Sequence, residues 1–555
     1  MSLLTCILGL PLLAALALMF VPRNFRVVLR GVALLATFLS AALALALFVL
    51  FHAGAPGYQF EQQLPWISAL GISYHVGVDG INVGLVLMGA VVAFAAACVS
   101  WEIKEREKEF YILLLLMAGG ILGAFASLDL FLFYFFHELA LVPTFIMIGV
   151  WGRGPDKNYA TFQITLYLSL GALIALVGLI ALHLQAGANT FDIPALTRQL
   201  REHRLAPGAQ RFIFPLLLFG FGILVSLWPF HTWAPLGYAS APSATAMLHA
   251  GVLKKFGLYG LIRIALPMLP DAAPDWMQVL AWLCLGNLLY CGWVAMRQKD
   301  FNWLVAYSSV AHMGFVFLGI ATLNLIGVTG AVLVMIAHGF LAALTFGLNG
   351  YLYQQTGTLQ MDQLGGLLRR LPFIGTALVM AALAGCGLPG FANFAGEVTV
   401  LFGAWRPFRV VTILACWGAL IIAAVYMLRA VRTILQGPLP DKWAKVADAP
   451  HLWRKTPFLL LLAALLAFGC CPRLLTDKIA PSVNECVLAP FAGQLTAHPI
   501  VPTHEPLGSG AGVSPAARAS RPRSLGRAAA SQAPDLSGFG PHFPTFPLSH
   551  SLTDP

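Results

Sequence analysis

Glu138, Lys255 and Glu397 each stand inside a run of apolar residues, and a set of histidines shares their surroundings. His137 precedes Glu138, while His249, Lys254 and Lys255 fall in one run. His312 and His338 sit singly in two later ones, His231 lies in the irregular stretch after another, and Asp79 opens a further one. An ionisable side chain in hydrocarbon is expensive unless it is paired or wetted, so each of these positions is a functional candidate by default. Histidine titrates near neutral pH, and a buried carboxylate or amine exchanges protons with it more readily than a solvated one. Acid, amine and imidazole groups near the middle of successive segments therefore suit a lateral chain of proton-holding groups. A lone buried histidine bonded to a carbonyl would be the plainer reading. Recurrence across five segments favours the chain.

The segments that carry these residues must be membrane helices. Of 555 residues, 59% are hydrophobic and 10% charged, with mean hydropathy +0.80. That balance excludes a soluble enzyme, a nucleic-acid binder and an outer-membrane barrel. We read an all-α polytopic membrane protein with about 14 transmembrane helices, near 3–20, 28–51, 80–101, 110–126, 129–151, 160–184, 211–228, 240–264, 275–296, 302–321, 324–352, 371–403, 408–435 and 456–474. The first run has no basic residue before it and no small-residue cleavage site, so it reads as helix 1 and not as a signal peptide. Loops after odd-numbered spans hold roughly 16 Lys and Arg, those after even-numbered spans roughly six. The positive-inside rule then makes the odd loops cytoplasmic and puts both termini on the periplasmic side of a bacterial inner membrane. The net charge of +10 is explained by this loop bias without an acidic partner.

Breakers recur at mid-depth. Pro229 and Pro235 follow span 7, Pro242 opens span 8, and Gly387-Leu-Pro-Gly390 interrupts span 12. Spans 7 and 12 occupy equivalent places in two five-span blocks, 4–8 and 9–13. Because five is odd, the second block is inverted relative to the first, the arrangement of ion translocators with broken helices at the repeat interface. The expected divisions are 1–109 for the N-terminal helices, 110–264 and 275–436 for the repeats, 437–475 for a loop and helix 14, and 476–555 for a disordered tail rich in Pro, Ser, Gly, Ala and Arg.

No nucleotide, flavin or metal motif appears, and the nine cysteines form no C-x-x-C pair and read as small hydrophobes. Electron chemistry, if any, belongs to another chain. Lys254 and Lys255 point about 100° apart on a helix, so one is the relay candidate and the other snorkels or pairs elsewhere.

Six stretches resemble a known family: VDGIN at 78–82, FFHELALVPTFIMIGVWG at 135–152, PFHTWAP at 229–235, HAGVLKKFGLYGLIR at 249–263, AYSSVAHMGF at 306–315 and GLPGFANFAGE at 387–397. Together they are similar to the M subunit (chain 4) of proton-translocating NADH-quinone oxidoreductase, respiratory complex I, over roughly residues 70–435. Mrp-type sodium/proton antiporters and membrane-bound hydrogenases share some of the pattern. The resemblance implies a proton-translocating subunit with no redox centre of its own, while NADH, FMN, iron–sulfur clusters and quinone reside on other subunits. Its implied partners are the neighbouring membrane-arm chains and the lipid bilayer, with no nucleic acid. It assigns proton handling to Glu138, Lys255, His312, His338 and Glu397, with His231 matching the histidine after span 7; His249 joins them as an inferred charge partner. Glu397, where antiporter-like paralogues usually carry lysine, favours the M subunit.

Four positions depart from the family pattern. The lysine of span 7 is Leu224 here, the tryptophan before the span-5 glutamate is His137, and the basic pair after the span-9 acid is Asn302 and Trp303. Without that lysine Glu138 lacks its usual cation, and the candidates to replace it are His137 and, preferred because it faces Glu138 across a helix interface, His249. A sodium/proton antiporter subunit and a spacer of the membrane arm are the alternative functions.

Overall fold

The computed structural model describes residues 2–491. Chain order gives α1 (Leu3–Phe20), α2 (Arg26–Leu50), a hairpin of β1 (Gln59–Ile67) and β2 (Ile72–Val78), then α3 (Val83–Val99), α4 (Glu107–Ala126), α5 (Leu130–Trp151) and α6 (Lys157–Ala186). A short α7 (Ile193–Glu202) leads to α8 (Pro207–Val225) and α9 (Trp233–Ser240). The next helical stretch is α10 (Ser243–Leu248), a π-helical turn at His249–Leu253, α11 (Lys255–Gly260), a second π turn at Leu261–Ala265 and α12 (Leu266–Met268). There follow α13 (Ala273–Leu285), α14 (Gly292–Arg297), α15 (Phe301–Ala321), α16 (Leu325–Thr356), α17 (Pro372–Gly385) and α18 (Ala392–Ala404). The last elements are α19 (Arg409–Cys416), α20 (Ala423–Leu435), α21 (Leu452–Cys470) and α22 (Arg473–Ser482).

Eleven helices among the described residues are long and apolar enough to cross a bilayer, so the protein is a multi-pass membrane protein. Three further stretches expected as single spans are interrupted: 243–268 by π turns, 372–404 by an unwound segment and 409–435 by a π turn. Burial follows position in the layer. Every residue in the apolar stretch of α16 is covered, whereas α1 and α6 leave most of one face open, as expected where lipid replaces protein as neighbour.

Two expectations are corrected. The fold is not wholly α, because residues 59–78 form an antiparallel hairpin. The segment from 476 is not a disordered tail throughout: α22 and a following π turn, Val483–Leu488, carry helix through the junction. Leu475, Ile479, Val483 and Val487 recur every four residues and are all buried, giving this segment one apolar stripe. Gly80 permits its seating. The Gly80 amide donates to Ser482 Oγ at 2.9 Å, and a Cβ there would fall 1.7 Å from the Lys478 carbonyl oxygen. The predicted tail beyond residue 491 lies outside the described residues.

Loops after spans 2, 4 and 6 join into one hydrogen-bonded plate. Leu128 N–H donates to the His75 carbonyl at 2.8 Å, Ile193 N–H to the Leu128 carbonyl at 2.8 Å, and Leu130 N–H to the Phe191 carbonyl at 2.8 Å. Asp129 caps α5 by accepting from Phe131 and Leu132 N–H at 2.9 and 3.1 Å, and its second oxygen accepts from Ser73 N–H at 3.1 Å. The start of the helix that carries Glu138 is thus tied to the hairpin. An equivalent cap stands on α15, where Asp300 accepts from Asn302 and Trp303 N–H at 2.8 and 3.2 Å. Each capping aspartate also forms an isolated antiparallel bridge to the loop two helices on, Asp129 with Asp192 and Asp300 with Gln360.

His75 pins the plate between two carboxylates. Its Nε2 lies 2.6 Å from Glu61 and its Nδ1 bonds Asp192. Burial opposes the imidazolium, but the two carboxylates outweigh it and raise the His75 pKa above the ordinary imidazole value. A pKa raised on folding adds stability that is full below the unfolded value and is lost as pH rises through the folded one. Amide hydrogen exchange across 72–78 should therefore accelerate, after correction for the intrinsic pH effect, as pH rises above about 6.5. His75→Gln should abolish that pH dependence, and a profile identical in both proteins would contradict it.

Candidate functional site

At one end, Glu138 projects from α5 and is partly exposed. Its Oε1 lies 3.6 Å from His137 Nδ1, and neither atom has a hydrogen-bond partner among the described residues. The His137 ring stacks on Phe256 at 3.9 Å, and Phe256 in turn stacks on Phe133 at 4.2 Å. The basic ring in contact with Glu138 is therefore its sequence neighbour, and no ion pair joins Glu138 to the expected His249 among the described residues. Two side chains about 100° apart on a helix still meet when both lean along the axis. His249 is instead turned to Tyr238, with 3.2 Å between Nδ1 and the hydroxyl.

The centre is built on the stretch from α10 to α12. The π turn at His249–Leu253 inserts one residue into the ladder immediately before the two lysines, and such turns cluster at functional sites. Lys255 is fully buried: its Nζ donates to the Ala250 carbonyl at 2.6 Å and lies 2.9 Å from His338 Nδ1 on α16. Lys254 does not snorkel. It is 1% exposed and donates to the carbonyl and hydroxyl of Ser309 on α15 at 3.0 and 2.9 Å. Consecutive lysines are both accommodated because this stretch is enclosed by protein on every side, so each of the two directions meets a different helix.

Beyond His338 the line continues to His312, with ring centroids 5.5 Å apart. His312 Nε2 then lies 3.6 Å from Glu397 Oε1, which again has no hydrogen-bond partner among the described residues. His312 Nδ1 is held by the Ser308 carbonyl at 2.8 Å, fixing which nitrogen faces the acid. A small cavity bordered by Gly385, His312, Glu397 and Tyr426 adjoins the pair. Polar contacts longer than about 3.5 Å beside such a space are geometries that a bridging water completes. The break supplies the room. Gly387 has φ +67°, and a Cβ there would come within 2.8 Å of Glu397 Oε2.

The first break is satisfied differently. Asn287 accepts from Trp228 N–H at 2.9 Å and donates to the Ser226 carbonyl at 2.9 Å, while Trp233 Nε1–H donates to the Ile223 carbonyl at 3.0 Å. Unwound backbone is tolerated at this depth because protein groups take up its freed bonds. Leu224, at the place of the family lysine, is 3% exposed in the last turn of α8. His231 is not brought into the line: its contacts are the Pro229 carbonyl at 3.2 Å and the Tyr290 ring at 5.7 Å.

Sequence reasoning missed Arg263 as a partner. Its guanidinium meets Asp79 at 2.6 Å with both side chains 2% exposed, and Tyr259 and Tyr58 accept further bonds at 3.1 Å each. Asp79 also accepts from Ile81 and Asn82 N–H at 3.0 and 3.2 Å. The VDGIN motif is thus an anchor that ties α3 to the end of the lysine-bearing stretch. Arg263 follows Lys255 by eight residues, about two turns, and that spacing on one face was the available signal.

The family described as NADH:quinone oxidoreductase/Mrp antiporter, TM, matches residues 127–423. NADH-quinone oxidoreductase subunit M of Rhodobacter capsulatus is 35% identical over 497 residues, covering 88% of this chain and 96% of that protein. The chain belongs to the subunit M family. NAD(P)H-quinone oxidoreductase chain 4 1 of a Nostoc species is 34% identical over 91% of this chain and 94% of its own length. Among solved structures, a chain of respiratory complex I from Thermus thermophilus superposes with TM-score 0.78 at 29% identity, covering 87% of this chain and 99% of that one. A chain of the Mrp complex from a Dietzia species has TM-score 0.77 at 20% identity, covering 89% and 98%, a likeness of fold alone.

Within this family member the two lysines should separate functionally. Lys255 contacts the imidazole of His338, whereas Lys254 bonds Ser309 and lies 5.4 Å over the Tyr238 ring, with no imidazole or carboxylate in its hydrogen bonds. In vesicles holding the intact assembly, Lys255→Ala should reduce NADH-driven proton uptake to a minor fraction of wild type and Lys254→Ala should reduce it less. The reverse order would show that the relay runs through Ser309.

Proposed function

We propose that this chain is the proton-translocating membrane-arm subunit of an NADH-quinone oxidoreductase, moving protons while electrons pass from NADH to quinone on other subunits. Neighbouring antiporter-like chains are its partners, and the bilayer is a bacterial inner membrane with both termini periplasmic. Fourteen crossings are reached by adding the three interrupted stretches to the eleven long apolar helices. Supporting two inverted repeats, 110–264 and 275–436, are the matching aspartate caps on α5 and α15, their matching bridges, and the pairing of α6 with α8 and of α16 with α18.

The observation that carries the reading is the contact of Lys255 with His338 between two carboxylate–histidine pairs of equal spacing. Each end pair, Glu138 with His137 and Glu397 with His312, stands at 3.6 Å, close enough for one intervening water. Charges in a low-dielectric interior repel far more strongly than in water. A proton arriving on Lys255 therefore disfavours one on His338, and a proton on His338 disfavours one on His312, so loading one end favours release at the other. Glu397 accepts from His312 and gives the proton to water at the GLPG break. No bond other than those to protons is made or broken on this chain. At Glu138 the neighbouring basic group is the His137 imidazole at 3.6 Å, where the family pattern has a lysine. This half of the chain accordingly couples through His137.

Glu397→Gln keeps the shape and removes the titrating group. It should assemble normally and oxidise NADH, but pump at a minor fraction of the wild-type proton-to-electron ratio in sealed vesicles. An unchanged ratio would remove Glu397 from the path.

A further inference from the structure

A crevice unrelated to the proton line opens between α2, α3 and α21. On α2, Arg30, Leu34 and Phe38 follow at intervals of four and share one face, so that Phe38 lies about 12 Å deeper than Arg30. On α3 Phe94 and Cys98 climb toward Trp101, and α21 adds Trp453. Phe38 and Phe94 meet edge to face at 5.4 Å and form the floor of this apolar part, about 410 Å³ in volume.

A polar vestibule of about 440 Å³ continues from it past Cys98, Trp101 and Trp453. The two tryptophans touch at 5.2 Å; Arg30 lies 4.3 Å over one ring and Arg454 5.1 Å over the other. Arg30 is balanced by Glu107 at 2.9 Å, and Glu102 by Arg153 at 3.0 Å and a bond from Gln354 at 2.7 Å. Lys104 and Arg454, which also line the vestibule, form no salt bridge among the described residues. Two cations without a carboxylate partner, Arg454 resting on Trp453 and near the Tyr351 hydroxyl, therefore face a space whose lower half is apolar. One acceptor is left over as well: Glu102 Oε1 is buried without a hydrogen-bond partner.

We propose that this crevice binds an anionic phospholipid with a hydroxyl-bearing headgroup, of the phosphatidylglycerol class. Its phosphate sits between Lys104 and Arg454, a headgroup hydroxyl donates to Glu102 Oε1, and an acyl chain lies along Leu34, Phe38 and Phe94. Basic pockets between helices at the membrane surface recognise anionic headgroups in this way, and tryptophan rings suit the level where chain meets headgroup. A choline headgroup has neither the net charge nor the donor. A helix from a neighbouring subunit fits the apolar half but leaves the two cations without a partner.

The test uses the intact assembly with phosphatidylglycerol carrying a photoactivatable acyl chain, and mass spectrometry of the labelled peptides. Labelling is expected on 34–38 and 94, competed by unlabelled phosphatidylglycerol and at least several-fold less by phosphatidylcholine. Lys104→Ser with Arg454→Ser should lower it several-fold, as should Leu35→Trp, which fills the crevice and leaves the charges in place. Equal competition by phosphatidylcholine, labelling indifferent to both variants, or cross-linking of these residues to a neighbouring protein chain would each overturn the proposal. The readout is lipid occupancy, so it is independent of whether the proton path is correctly assigned.

Discussion

An amine buried among helices must find acceptors inside the protein, since hydrocarbon offers none. Lys255 finds two, the Ala250 carbonyl and the His338 ring. The first is a carbonyl of its own helix, within the π turn, and costs the fold little beyond that inserted residue. The second is a titratable group on another helix, and it fixes where α16 must lie. Much else follows from that requirement: the enclosure of α16, the second lysine turned onto Ser309, and the anchoring of the same helical stretch by Arg263 and Asp79.

The two breaks serve different ends. That between α8 and α9 is closed by Asn287 and Trp233, so its freed backbone groups bond to protein and its histidine, His231, is turned away from the line. The break before α18 is held open by Gly387, with an unpartnered carboxylate oxygen and a small cavity beside it. The first makes a rigid joint and the second a wettable one. The absence of a cation at Leu224 fits a joint that is sealed.

Much of this was legible because charge inside an apolar run is rare enough to be conspicuous. Glu138, Lys255, His312, His338 and Glu397 stand out in the sequence, and the structure brings His312, His338, Lys255 and Glu397 into successive contact. What was not legible depended on direction more than on presence. Lys254 was expected either to snorkel or to pair elsewhere, and nothing in the sequence says that Ser309 is the partner that faces it. His249 was preferred over His137 on a helical-wheel argument that ignored how far side chains lean along the axis. Arg263 lies near a span end, where a cation passes for a loop residue. The hairpin at 59–78 escaped because β1 is polar and interrupted by Pro65, and α22 because the composition of the tail beyond it masked a regular four-residue stripe.

The central claim is that Lys255 and His338 act as one unit, so the most direct measurement is a double-mutant cycle on NADH-driven proton uptake in sealed vesicles. Groups that act as a unit are strongly non-additive. Lys255→Ala, His338→Ala and the double variant are predicted to show nearly the same residual pumping, because either change already severs the contact. Losses that multiply, each substitution reducing the rate by the same factor in the presence and absence of the other, would contradict the account.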